Sequence, residues 1–446
     1  MPTDPVPAGA IRHAGGCLQP VLLRGRVDHI DGSTGELIHR YTTVHEPGGL
    51  LPVACKTRRA SRCAPCAEVY RADTYQLIRA GLSGGKGVPA EVADHPCVFV
   101  TLTAPSFGPV HAWRVRGDRM LACRPRRKGR TCPHGVRLSC NEKHARDDDR
   151  LGEPLCPDCY DYTGSVLFNT YAPELWRRFT ITLRRTLARQ AGLTGKAFAT
   201  QVRLSYAKVA EYQRRGVVHF HAIVRLDGPT GPSTVPPAWA TLSLLTDAIS
   251  QAARAIQVRT PAASHVPSRT LTWGGQLDIR PVTPTGELTD TTVAGYVAKY
   301  ATKAAECTGT LDRRVTQADH LDELPVRDHT RRHIAECLRL GRLPQFADLR
   351  LTAWAHMLGF RGHFSTKSRA YSITLGSLRA DRAVYQRERA IAAGLVPALE
   401  SDTTLVVADW HFAGRGDPPS IAALLAAAAV SAPASPPGGV PCPGSY

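Results

Sequence analysis

The 446-residue chain contains no run of eighteen consecutive apolar residues, which is about the minimum for a membrane-spanning helix. Its N-terminal stretch, MPTDPVPAGAIRHAGG, lacks a basic segment followed by an apolar core. Neither a membrane span nor a secretion signal is expected, which makes the reading that of a cytoplasmic protein. No internal repeat is found. Acidic residues are scarce beside basic ones, 38 against 56, so the net charge is +18. An imbalance that large favours a polyanionic partner, because Lys and Arg that neutralise phosphates release condensed counterions. The basic residues recur along the chain, as in CRPRRKGR and LWRRFTITLRR. With 43% hydrophobic residues the chain can still bury a sizeable core, and its length allows two or three domains.

Thirteen cysteines would suit a disulfide framework in a secreted chain, but their placement points elsewhere. Nine lie between Cys55 and Cys159, and two pairs, Cys63-Ala-Pro-Cys66 and Cys156-Pro-Asp-Cys159, have metal-knuckle spacing. A C-x2-C turn aims two thiolates at one tetrahedral ion, and a second pair closes the site. With Cys97 set aside because it abuts a strand, Cys55, Cys63, Cys66, Cys123, Cys132, Cys140, Cys156 and Cys159 suffice for two four-cysteine Zn²⁺ sites. His134 and His144 are candidate substitutes, so the partition stays open. Closed sites of this kind leave no open coordination position, which makes the zinc structural.

The rest of the chain is organised around strands and helices. Residues 1–50 are rich in Gly and Pro with little periodicity. A β-branched run from Val98 to Thr103, ended by Pro105, reads as a buried strand. Residues 110–165 read as an insertion held by metal rather than by an apolar core. A helix is expected over about 171–191, then a hairpin of strands at about 200–211 and 217–226 around Arg214-Arg215-Gly216. A helix near 237–257, a strand in TWGGQLDIRPV and a helix near 290–305 follow. The order strand, helix, strand, strand, helix, strand, helix predicts an α+β fold. It is a ferredoxin-like βαββαβ core, an antiparallel sheet with helices on one face. Further helices are expected near 329–341 and 378–393.

Within the hairpin, the stretch AEYQRRGVVHFHAIVRLDG carries His219 and His221 two residues apart, so both leave one face of the strand. If the hairpin folds around Arg215, Glu211 lies across from His219. Two imidazoles and a carboxylate form a mixed set that suits Mg²⁺ or Mn²⁺ and leaves positions open for substrate. In TTVAGYVAKYATKAAE, a helix capped by Thr289 or Asp290, Tyr296 and Tyr300 share a face one turn apart, with Lys303 a turn further on and Lys299 beside them. A tyrosine attacks a phosphodiester when its proton is removed and the phosphate is made electrophilic. A metal and a lysine supply those two conditions.

Taken in order, FVTLT at 99–103, HFHAIV and YVAKYATK resemble the three motifs of the HUH endonucleases, the rolling-circle replication initiators. The two-tyrosine spacing resembles the gene A proteins of isometric single-stranded DNA phages. The cysteine-rich LCPDCYDY and the basic GFRGHFSTKSRAYS are more similar to the initiators of actinomycete plasmids and integrative elements. The motif core covers roughly 97–305, and the plasmid-type resemblance extends to about 390.

That resemblance implies metal-dependent, site-specific nicking and rejoining of plasmid origin DNA, single-stranded and duplex, through a 5′-phosphotyrosine that leaves a 3′-hydroxyl primer. It implies His219 and His221 as metal ligands, Tyr300 as the nucleophile and Tyr296 as a second nucleophile or a bystander. Lys299 and Lys303 assist, and a host helicase and DNA polymerase are the implied partners. In one related plasmid group a glutamate that activates water stands where Tyr296 is, so the tyrosine leaves the termination step open. Glu211 as third ligand rests on the hairpin geometry, with Asp278 as the fallback.

The chain divides accordingly into an irregular N-terminal region (1–50) and the first part of a zinc-binding region (51–96). A first core strand (97–109) and a zinc-binding insertion (110–165) follow, then the HUH endonuclease core (166–308). A basic helical region open to DNA binding (309–400) and a disordered tail (417–446) complete it. Two rival readings remain. A zinc-stabilised DNA-binding regulator without catalysis leaves the histidine and tyrosine motifs unused, and a small-molecule metallohydrolase has no use for the excess positive charge.

Overall fold

The computed structural model describes residues 14–126, 129–283, 289–303, 311, 313–315, 321–394 and 404–416, so the expected tail at 417–446 lies outside the described residues. In chain order, strands β1 (Val21–Asp31), β2 (Leu37–Thr42) and β3 (Leu51–Val53) precede helix α1 (Ala64–Ser83). Strand β4 (Cys97–Leu102) leads to helix α2 (Tyr162–Gln190), strands β5 (Arg203–Tyr212) and β6 (Val218–Asp227), and helix α3 (Leu242–Ala255). Strand β7 (Leu277–Pro281), helices α4 (Asp290–Lys303) and α5 (Asp328–Gly341), strand β8 (Ser365–Lys367), helix α6 (Leu375–Ala392) and strand β9 (Thr404–Arg415) follow. Among the described residues no helix is long and apolar enough to cross a membrane.

Two compact units form, one from residues up to 71 together with those from 380 onward, the other from residues 72–379. The first unit corrects the expectation of an irregular 1–50. Its β1 pairs antiparallel with β9 from Val21 opposite Arg415 to Asp31 opposite Thr404, and with β2 and β3. Asp28 and Arg40 lie opposite each other, and the guanidinium donates to both carboxylate oxygens at 2.6 and 3.0 Å, a charged cross-strand pair. The partner strand stands at the other end of the sequence, so no local pattern announces the sheet.

The second unit is built on an antiparallel sheet in the order β7-β4-β6-β5-β8. Each crossover helix joins strands that are parallel but not adjacent: β4 to β5 through α2, and β6 to β7 through α3. The fifth strand, β8, comes from the basic GFRGHFSTKSRAYS and pairs with β5. The region 309–400, read as helical, thus contributes an edge to this sheet. Its α5 also buries Ile334, Cys337 and Leu338 in the same core. A short three-residue strand amid Arg, Gly and Ser has too little alternation to show in sequence.

Alternation sorts the two faces. Val98, Val100 and Leu102 of β4 and Phe220, Ala222, Val224 and Leu226 of β6 are buried against Leu175, Phe179, Leu183 and Leu187 of α2 and Leu245 and Ile249 of α3. Burying each of these large side chains contributes ~1.5–3 kcal/mol. The opposite face, with His219, His221 and Ile223, is covered by α4, which packs on β5 with Val293, Ala294, Val297 and Ala298 buried. Helices therefore stand on both faces, not on one, because Ala207, Val209 and Ile223 give the second face an apolar patch that needs cover.

Helix α2 begins nine residues before its expected start. Asp161 caps it, accepting from Gly164 N–H at 2.8 Å, and a Cβ at Gly164 would sit against that carboxylate. Near its first turns the buried Asn169 donates to Gly216 O and Leu358 O, both at 2.9 Å, and accepts from Val218 N–H at 2.9 Å. This amide fixes the hairpin turn to the helix. Asn169→Leu should leave one N–H and two carbonyls unpaired in the core, costing about 2–4 kcal/mol. Urea unfolding measures this, and a loss under ~1 kcal/mol would contradict the role.

Candidate active site

Hairpin register sets the site. β5 and β6 pair so that Glu211 lies opposite His219 and Val209 opposite His221, and the turn closes through Gly216 at φ 75°. Glu211, His219 and His221 therefore leave the sheet on one face. Glu211 Oε2 stands 3.1 Å from His219 Nε2 and 3.1 Å from His221 Nε2, and the two Nε2 atoms are 3.2 Å apart. Adjacent ligands of an octahedral ion with ~2.1 Å bonds stand about 3 Å apart, so this triangle fits one face of such a coordination sphere. Three ligands leave room for substrate oxygens.

Surrounding groups hold the triangle in place. Thr101 Oγ1 lies 3.0 Å from His221 Nδ1, which leaves Nε2 turned toward Glu211. Phe99 stacks on the His221 ring with centroids 5.6 Å apart and planes 6° from parallel. Burial alone would raise the Glu211 carboxyl, but hydrogen bonds from both imidazoles hold it at about 2. His221 is lowered by burial, against the opposing pull of Glu211. An ionised Glu211 beside an unprotonated His221 is what a cation site requires of those two groups.

Helix α4 brings the tyrosine. Thr289 Oγ1 accepts from Thr292 N–H at 3.3 Å and caps the helix, resolving the choice between Thr289 and Asp290. Tyr296 Oη stands 3.1 Å from His221 Nε2, and its ring meets Phe99 edge-on at 5.6 Å. Among the described side chains, the tyrosine at the cluster is Tyr296. Tyr300, expected as the nucleophile, and Lys303 follow on the same helix, but their side chains lie outside the described residues. Lys299 is exposed on α4. Asp278, the fallback ligand, sits opposite Thr101 on β7 with its carboxylate 2.9 Å from Arg280, outside the triangle.

Among the described residues, nine cysteines gather in three groups rather than two, each with ligand atoms within 4.8 Å of one another. Cys63 and Cys66 join Cys17 and Cys55, and Cys156 and Cys159 join Cys132 and His134. Cys123 and Cys140 close with His111 and His144. None of these cysteines is in a disulfide. Cys17 and Cys63 sulfurs are 3.8 Å apart, the separation that tetrahedral bonds of ~2.3 Å produce. The groups can hold a metal such as zinc. Each C-x2-C pair stands in its own group instead of completing the other's, and Cys123, Cys132 and Cys140 stand beside histidines. Cys17 and His111 had no knuckle partner to reveal them. Although burial pushes the other way, amides of Val136 and His134 hold the Cys132 thiol down to about 6, favouring the thiolate that a metal binds. His144 Nδ1 lies 2.7 Å from Asp148 Oδ2, the orienting carboxylate that metal-binding histidines commonly have.

The metal-group segment is fastened to the hairpin turn. Arg214 donates to Asp148 O at 3.1 Å and Arg146 O at 2.9 Å, while Gly152, at φ 89°, leaves space in which a Cβ would meet Arg214 C at 2.4 Å. Gly152→Ala should cost about 1–3 kcal/mol from positive φ and displaced backbone. Thermal unfolding checks this, and an unchanged midpoint would mean the turn and segment are not in contact.

Residues 6–431 match the family described as "Replication initiator protein, pSAM2" (RepSA). A replication initiator protein of Streptomyces ambofaciens is 52% identical over 423 residues, which are 93% of this chain and 88% of that protein. No solved structure matches the chain.

Proposed function

The chain belongs to the RepSA family of replication initiator proteins, and on that premise we propose that it initiates plasmid replication by nicking one strand of origin DNA as an HUH-type endonuclease. The observation that carries this reading is the tyrosine hydroxyl of Tyr296 placed 3.1 Å from His221 Nε2, within the Glu211, His219 and His221 cluster. The strand order, with each crossover helix joining parallel strands across a third, supports a ferredoxin-like core of the HUH kind. A net charge of +18 suits a protein that holds both duplex and single-stranded origin DNA.

A divalent cation such as Mg²⁺ or Mn²⁺, held by Glu211, His219 and His221, would polarise the scissile phosphate. The tyrosine Oη releases its proton to solvent and attacks phosphorus, so the Oη–P bond forms as the P–O3′ bond breaks. The 5′ phosphate stays on the protein, and the departing oxygen takes up a proton to become the 3′-hydroxyl primer. Attack by a 3′-hydroxyl reverses the step and rejoins the strand. Tyr296 stands at the cluster and Tyr300 follows one helical turn on, so a second hydroxyl is supplied for the later exchange that ends a round. Phe99 and Thr101 keep the His221 ring oriented while the strand changes partners.

Incubation of the full chain with labelled single-stranded origin DNA and Mg²⁺ or Mn²⁺ should give a covalent adduct. Tyr296→Phe with Tyr300→Phe should abolish the adduct while DNA is still bound. An adduct that survives in that variant sinks the proposal. Of the single variants, Tyr296→Phe is expected to lose more, and a larger loss from Tyr300→Phe would assign attack to Tyr300. His219→Ala with His221→Ala should slow nicking roughly a thousand-fold, since several kcal/mol of charge stabilisation go with the cation.

Zinc is proposed for the three cysteine-containing groups, in a structural role. Elemental analysis of purified protein should find about three zinc ions per chain. Cys17→Ser should lose one ion and His111→Ala another. A folded protein with no zinc would overturn the assignment.

A further inference from the structure

A cavity of about 710 Å³ adjoins the cation cluster, a size within the ~300–1,000 Å³ of ligand-binding pockets. Glu211 and His219 form one side of it, and Trp113 and Arg146 of the metal-group segment form another, with Arg214 and Arg215 of the hairpin turn alongside. Trp113 is 40% exposed, which is unusual for so large an apolar ring at a cavity wall. The Arg146 guanidinium carbon lies 5.6 Å from the centre of its indole. The ring is not on a loose loop. Ala112 N–H donates to Cys123 Sγ at 3.2 Å, His111 stands in the same metal group, and Arg214 holds the backbone of Arg146. Glu211, the one acid among the described residues that line the cavity, is already engaged by both histidines, so the remaining charge of that lining is cationic.

We propose that this cavity is a nucleobase subsite: Trp113 stacks an unpaired base of the DNA strand whose phosphate lies at the Glu211, His219 and His221 cluster, and Arg146 neutralises a neighbouring phosphate. The inference rests on the nicking reading for where the strand runs. A base paired in a duplex has no free face to offer an indole, whereas an unpaired base does, and stacking of this kind tolerates any sequence. Arg146 over the same ring adds a cation at the distance where the π-face attracts it. The metal group thereby gains a role in the site: it carries the stacking ring to the edge of the chemistry.

The test uses the full chain with Tyr296→Phe and Tyr300→Phe, a background that cannot form the adduct, so affinity alone is read. The probe is a fluorescein-labelled oligodeoxythymidylate, followed by anisotropy. Adding Trp113→Ala should weaken binding about 5- to 150-fold, the span that one base–aromatic stack supplies. Trp113→Phe should recover most of the affinity, and Arg146→Gln should lower the salt slope by about one. Binding to a labelled duplex should not change with Trp113→Ala. Unchanged oligodeoxythymidylate binding in the alanine variant, with its zinc content intact, overturns the proposal, as does an equal loss on duplex. If the tyrosine-intact protein forms no adduct but the Trp113 effect stands, the nicking reading fails alone. If the adduct forms and Trp113→Ala binds normally, the subsite fails alone.

Discussion

Pairing of β5 with β6 around Gly216 is the constraint on which the site depends. A β-strand alternates faces with a period of two, so a slip of one residue in this hairpin would turn Glu211 away from His219 and carry the imidazoles into the apolar layer. Two devices prevent the slip. The turn needs a residue at positive φ, which Gly216 supplies, and the Asn169 amide locks the turn's carbonyl and the Val218 N–H to helix α2. Phe220, Ala222, Val224 and Leu226 add a hydrophobic penalty for the wrong face. The Glu211 carboxylate and the two imidazoles converge because the core would be disrupted if they did not.

The segment from residue 110 to 160 is stabilised differently. It buries few large apolar side chains beyond Leu151 and Tyr160, and its regular structure is slight. What converges there instead are thiols and imidazoles, in two groups whose members come from its start, middle and end. A chain that cannot offset its conformational entropy by apolar burial is commonly stapled by metal. The same segment touches the hairpin through Arg214 and the Gly152 backbone, so whatever orders it also sets its place beside the turn. Folding of the segment and access to the cation cluster are thus coupled.

Much of the second unit was legible in the sequence because its signals are local. The H-x-H alternation, the Arg-Arg-Gly turn and the four-residue tyrosine spacing each follow from one element's geometry. The pairing of Glu211 with His219 follows from a short hairpin, where register needs only the turn. What could not be read depends on distant partners. β1 finds its neighbour β9 at the other end of the chain, β8 is too short to alternate, Cys17 lies far in sequence from the knuckle it joins, and His111 belongs to a group that has no knuckle. The metal groups also show a limit of counting: eight cysteines divide evenly into two sites, but tetrahedral geometry admits histidine on equal terms.

The two faces of β6 explain how a polar cluster and a buried apolar layer can share one strand. At one end of its polar face stand His219 and His221. Towards the other end, on the same face, the fully buried Arg225 donates to both oxygens of Asp227, at 2.6 and 2.9 Å, and His95 Nδ1 lies 2.9 Å from Asp227. A buried pair of this kind contributes little net stability but makes misplacement costly, since either partner alone would be an uncompensated charge. Both partners ride on β6, so it is their bonds to groups outside the strand, His95 to Asp227 and Arg225 to the carbonyls of Gly81 and Tyr371, that fix its far end, as Asn169 fixes its near end. Between the two anchors the imidazoles have little freedom to shift along the sheet, the kind of preorganisation that the proposed cation and phosphate site would need.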